Sequence, residues 1–191
     1  MSIDEPLLPL VWTTARLRMR PPALEDAQAV FVAYASDPEV TRYLSFLCSS
    51  EVESTRDFLD KVAIPRSEDR HAGGHYMITD IQSSELIGSI SARVFDVKAE
   101  IGYVLARKYW NQGYMSEALA GLLRLLFQNG SIHRVQAFHD ARNTASGRVM
   151  EKCGMQREGL LRKYAVHPNV SIEPADCYMW AIVRDDFRQQ P

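Results

Sequence analysis

The stretch from Glu100 to Leu126 limits the fold more than any other part of this 191-residue chain. Residues 100–105 read as a strand, and a polar loop follows through Gly113. Met115, Ala118, Leu119, Leu122, Leu123 and Leu126 then recur at helical spacing until Asn129-Gly130. A strand that feeds a glycine-containing turn opening a helix aims unpaired N–H groups and the positive helix end at one point. That makes an anion site best suited to a pyrophosphate. No Lys-Ser/Thr follows the glycine and no triple-glycine spacing exists, so neither a nucleotide triphosphatase nor a nicotinamide enzyme is supported. Taken alone, Gly113 asks for no more than a tight turn.

The flanking segments place this unit in a mixed sheet. Residues 16–20 alternate Arg-Leu-Arg-Met-Arg, a half-buried strand that Pro21-Pro22 ends. Leu24, Ala27, Phe31 and Tyr34 form a helical stripe stopped by Pro38. Ser50-Glu51-Val52-Glu53 reads as a capping box for a second helix running to Pro65. Strands follow at 76–81, 85–95 and 100–105, then the long helix, a strand at 134–139, a helix at 143–152 and strands at 155–166 and 175–183. Consecutive strands followed by strand–helix alternation predict an α+β fold: one mostly antiparallel sheet of about seven strands, with helices on both faces. Length and an even spread of Gly and Pro predict a single domain over 1–191, with 1–14 an extended N-terminal segment.

Twenty-two Lys and Arg against 24 Asp and Glu give a net charge of -2, which supplies no field for nucleic-acid or membrane binding. Three scattered cysteines, no signal peptide and no apolar run long enough to span a bilayer predict a cytoplasmic protein.

Trp110-Asn111-Gln112-Gly113-Tyr114-Met115-Ser116-Glu117-Ala118-Leu119 resembles the acetyl-CoA motif of the GCN5-related N-acetyltransferases (GNAT), in particular the RimJ/RimL branch. Arg16–Pro21, Asp37–Val40, Leu86–Ile90, Glu100–Tyr103, Asn143–Ser146 and Glu151–Met155 match further landmarks, in order and over nearly the whole chain. Asn111 stands where the branch often has Gly, and Trp110 where the superfamily prefers Gln or Arg. The resemblance implies that main-chain N–H groups of Gln112, Gly113, Tyr114, Met115 and Ser116 hold the pyrophosphate of acetyl-CoA. It also implies that Ile101, Gly102, Tyr103 and Val104 offer their backbone to pantetheine, on a strand that splays from its neighbour. Asn143 would both cap a helix and hold the pantetheine arm.

Acetyl transfer from a thioester to an amine needs a neutral amine, a polarised carbonyl and a proton for the leaving thiolate. Glu100 is the candidate base, with a solvated strand-end charge as the alternative. The slot where the superfamily often has an acid tyrosine holds Met150, and the resemblance offers Ser146 instead, with Tyr164 as fallback. The acceptor is a primary amine, either a protein N-terminus or a small molecule, with acceptor residues within 34–48 and 166–174 and Trp12, Tyr43, Phe46 and Tyr76 as candidate walls. The enzyme is expected to be a monomer or homodimer. Met150 also motivates a second reading, a CoA-binding regulatory module without catalysis. No metal is expected: His71 and His75 lack further ligands. His139 is expected to be exposed at a strand end, Cys153 to be packed, and Arg16, Arg18 and Arg20 to form a solvated basic face.

Overall fold

The alternating residues 17–20 become a strand whose Leu17 and Met19 are buried while Arg18 faces solvent. This is strand β2 (Leu17–Arg20) of a computed structural model that describes residues 6–69 and 71–189. The other strands are β1 (Trp12–Thr13), β3 (Gly73–Asp80), β4 (Leu86–Phe95), β5 (Lys98–Leu105), β6 (Arg134–Asp140), β7 (Gln156–Ala165) and β8 (Ala175–Val183). They form one sheet in the order β1-β2-β3-β4-β5-β6-β8-β7, antiparallel except for the β5–β6 pair. The count is eight where about seven were expected. The added strand is β1, two residues within the segment expected to be extended; residues 1–5 lie outside the described residues.

Two apolar layers cover the sheet. On one face α5 (Tyr114–Gln128) and α6 (Thr144–Lys152) pack on Ile90, Ile101, Val135 and Ala137. Gly121 of α5 lies against Trp12, where a Cβ would come within 2.7 Å of the indole ring. The other face carries α1 (Ala27–Val30), α2 (Pro38–Thr41) and α3 (Val52–Phe58), with Val30, Val40 and Leu59 on Met77 and Val104. A final helix, α7 (Arg184–Arg188), brings the Arg184 guanidinium to the carbonyls of Phe127, Asn129 and Ile132 that α5 and its following turn leave open.

Two local expectations are corrected, while the first helical stripe does end before Pro38. The capping box at Ser50 does not form: Glu51 is the N-cap and no side chain bonds there. The helical stripe does not stop at Pro65, because a π-helical turn (Leu59–Ala63) leads into α4 (Ile64–Glu68). Pro65 falls in the first turn of α4, where a missing N–H costs little. Pro38 likewise starts a helix: Asp37 caps α2 by accepting from the Glu39 N–H at 3.0 Å.

His75 on β3 is buried against Phe58, with no hydrogen-bond partner for either ring nitrogen among the described residues. Burial, assisted by the Arg66 charge, pulls its pKa from 6.5 down to about 4. The unfolded chain therefore takes up a proton below pH 6.5 that the folded chain refuses until about pH 4. Stability attributable to His75 is complete above that window and is lost as pH falls through it. Urea unfolding should show this loss, about 3 kcal/mol from a shift of that size, in the wild type and not in His75→Leu.

Candidate active site

The cleft arises where two strands stop pairing. β5 and β6 share only three rungs, Lys98–Arg134, Ala99–Val135 and Glu100–Gln136. Beyond them β5 continues to Leu105 bonded to β4, and β6 continues to Asp140 bonded to β8. On the sides that face each other, the strands have no ladder partner. The gap opens into a cavity of about 490 Å³ lined by Tyr103, Val104, residues 109–111 and 113–116, the start of α6 and residues 39, 40 and 42–44, with the Gln112 side chain outside it. Four cationic side chains, Arg42, Arg142, Arg148 and Lys152, line it against one carboxylate, Glu39. The chain is acidic overall, yet this cavity suits an anion.

The loop at its mouth presents main-chain donors. Gly113 is the N-cap of α5 at φ +81°, no side chain caps the helix, and the first intrahelical bond runs from Glu117 N–H to the Gly113 carbonyl. The N–H groups of Tyr114, Met115 and Ser116 are therefore open to a ligand. Asn111 has φ +60°, which explains a position where glycine is common: after glycine, Asn is among the residues that best tolerate this region. Trp110 pins the loop by donating its indole N–H to the Leu105 carbonyl at 2.8 Å. Tyr109 donates to Glu85 at 2.7 Å, Lys108 pairs with the same carboxylate, and Arg107 pairs with Asp37 at 2.9 Å.

Asn143 accepts from the Ser146 N–H at 3.3 Å and so caps α6. The Ser146 hydroxyl lies 3.0 Å from the Tyr103 hydroxyl, which also donates to the Ser146 carbonyl. Burial holds the Tyr103 phenol well above its usual pKa, only partly offset by Ser146, so it stays protonated. Glu100 lies on the opposite face, since side chains alternate along β5. Gln136 donates to its carboxylate across a long 3.4 Å, and Arg134 orients Gln136 by donating to its amide oxygen at 3.0 Å. Tyr164 packs edge-on against Phe138, 45% exposed, with its pKa raised by burial and then by Glu100. Glu100 and Tyr164 are therefore neighbours, and neither lines the cavity that holds Ser146.

Residues 16–156 match the family described as the acetyltransferase (GNAT) domain. The chain belongs to the GNAT family of N-acetyltransferases. It is 32% identical over 177 residues to the uncharacterized N-acetyltransferase p20 of Bacillus licheniformis, covering 91% of this chain and 96% of that one. A solved GNAT acetyltransferase from Bacillus anthracis is 33% identical, with a TM-score of 0.78 over 92% of this chain and 99% of that one. RimL, a ribosomal-protein α-N-acetyltransferase solved with coenzyme A, shares the fold at 21% identity and TM-score 0.77, covering 94% of this chain and 98% of that one.

In this acetyltransferase the expected acceptor segments meet. Asn169 accepts from the Cys48 N–H and donates to the carbonyls of Thr41 and Phe46, each at 2.8 Å, so one amide joins the 41–48 loop to the 166–174 turn. Tyr43 lines the cavity with the Arg42 and Arg142 guanidinium groups over its ring at 5.4 and 5.8 Å. Arg142 is held by Asp140, which is 1% exposed and stays ionised because these bonds outweigh the burial that raises its pKa.

Several expectations for single residues change. Trp12 and Tyr76 do not wall the cleft; they meet edge to face in the core at 5.8 Å. Phe46 packs on Phe58. His139 is buried, accepting from the Trp180 indole at 3.0 Å, and burial lowers its pKa. Cys153 is packed, with burial raising its thiol to about 11. Arg20 is paired with Asp26 at 2.6 Å rather than solvated. Ile101 turns its side chain into the core. Arg148 and Lys152, one turn apart on the face of α6 that also bears Ala145 and Val149, escaped the sequence reading although helical spacing would have found them.

Any Cβ at position 113 must adopt the left-handed conformation there, at about 1–2 kcal/mol. Gly113→Ala should therefore let the free turn relax out of that conformation, which coenzyme A must then restore, so binding should weaken about tenfold in a calorimetric titration with the melting temperature nearly unchanged.

Proposed function

We propose that the enzyme transfers the acetyl group of acetyl-CoA to a primary amine by direct attack in a ternary complex. The observation that carries this is the wedge between β5 and β6, fed at its mouth by the open N–H groups of Tyr114, Met115 and Ser116. In this reading those groups, with Gln112 and Gly113, hold the diphosphate. The free side of β5 from Ile101 to Val104 and the Asn143 side chain guide the pantetheine arm inward, so the thioester stops near the last rung. The amine arrives from the Glu100 face, and Glu100 takes its proton through water. The thiolate leaves toward the opposite face, where the Ser146 hydroxyl, hydrogen-bonded to the Tyr103 phenol, gives it a proton and regains one from water in the cleft. Tyr164 neighbours Glu100 and does not line the cavity that holds Ser146, so in this reading it takes no part in that task. No step calls for a metal. The entire chain would act as one catalytic unit, and its three free cysteines suit the reducing cytoplasm.

A protein α-amine, with a pKa of about 7.7–8.0, suits a weakly held base better than a lysine at about 10.4. RimL acts on such an amine, and the same wedge would also serve a small amine. Mass spectrometry of N-terminal peptides and small amines incubated with enzyme and acetyl-CoA tests this directly. If coenzyme A binds but no amine is acetylated, the chain is a CoA-binding regulatory module. That second reading is favoured by Met150, buried where the superfamily often has an acid tyrosine.

Ser146→Ala should lower kcat by about a hundredfold, the low end for a lost general acid, with little change in KM for acetyl-CoA. Tyr103→Phe should lower kcat less. Thiol release measured on both variants checks the order.

A further inference from the structure

Arg16 precedes β2 and was expected on a solvated face with Arg18 and Arg20. Its guanidinium instead reaches both sides of Gly113. The Nε donates to Glu117 Oε2 at 2.6 Å and a terminal nitrogen donates to the Gln112 carbonyl at 3.1 Å. The group lies 4.1 Å from the centre of the Tyr114 ring, and its other terminal nitrogen lies 3.6 Å from where a Cβ of Gly113 would stand. One planar fork therefore braces residues 112, 113, 114 and 117, the turn whose main chain supplies the anion site.

Charge gives Arg16 a second task. Glu117 sits in the first turn of α5, where its carboxylate favours the helix dipole but repels an anion bound at the helix start. Burial would raise its pKa, yet hydrogen bonds from the Thr14 hydroxyl (2.5 Å), the Arg16 N–H (2.9 Å) and the Arg16 side chain hold it below the ordinary value. Glu117 is thus a permanent negative charge, turned toward Arg16 and neutralised by it. Arg16 itself is absent from the cavity wall.

We infer that Arg16 is a positioning residue for diphosphate binding: it fixes the turn around Gly113 and cancels the Glu117 charge without touching the ligand. The inference rests on the acetyl-CoA reading of the cavity. It predicts a loss confined to ligands that carry the diphosphate. Arg16→Ala should weaken coenzyme A binding by about tenfold or more, equivalent to about 1.4 kcal/mol, in calorimetry. The affinity for S-acetylpantetheine, which lacks the diphosphate and is followed by NMR titration, should not change. Arg18→Ala, an exposed neighbour on β2, should alter neither. Arg16→Lys keeps the charge but not the fork, so it should recover only part of the loss. If Arg16→Ala does not fold, Arg16→Lys carries the same comparison between the two ligands. Equal losses for both ligands, no loss for either, or full recovery with lysine would overturn the inference while the acetyl-CoA reading stands. Wild-type protein that binds no coenzyme A would overturn that reading, and this inference with it.

Discussion

Parallel pairing between β5 and β6 ends at Glu100 and Gln136, and the architecture of the site follows from that single interruption. Each strand stays fully bonded on its outer side, to β4 and to β8, so the sheet remains continuous while its middle opens. Backbone groups left without a rung must find water or a ligand, because a buried unpaired N–H or C=O costs free energy comparable to a lost hydrogen bond. The wedge is thus a polar slot inside an otherwise apolar sheet. It is also a passage, connecting the face covered by α5 and α6 with the face covered by α1–α4.

In the proposed reaction that passage would separate two proton tasks that would interfere in one pocket. Side-chain alternation along β5 puts Glu100 on one face and Tyr103, bonded to Ser146, on the other. A base and an acid can then act on the same reacting centre without exchanging protons directly. Burial keeps the Tyr103 phenol protonated, so it holds Ser146 as a hydrogen-bond partner and is no base.

Rigidity at the mouth complements openness within. The loop from Arg107 to Gly113 is tied to Asp37, Glu85, Leu105 and, through Arg16, to the start of β2. Donors held in place before a ligand arrives need no reordering on binding, so less entropy is lost. The loops proposed to meet the acceptor are built differently. Asn169 alone supplies three hydrogen bonds between two loops far apart in sequence, which lets those loops vary around a fixed junction.

Local pattern was enough to place most elements. The apolar stripe of α5, the alternation of β2 and the Asn143 cap depend on neighbours a few residues away, and sequence periodicity reports those directly. The Gly113 turn was legible for the same reason, since a left-handed residue is a local requirement. Short-range rules failed where a partner distant in the chain decides the outcome. Arg16 and Arg20 look solvated until Glu117 and Asp26 are brought to them. His139 looks exposed until Trp180 covers it, and Pro65 looks like a stop until the π turn carries the chain past it. The sequence by itself determined the glycine turn that opens α5, because backbone conformation at one glycine is set within the turn. Only the tertiary structure decided where β5 and β6 part, because that point depends on which strand each pairs with on its far side.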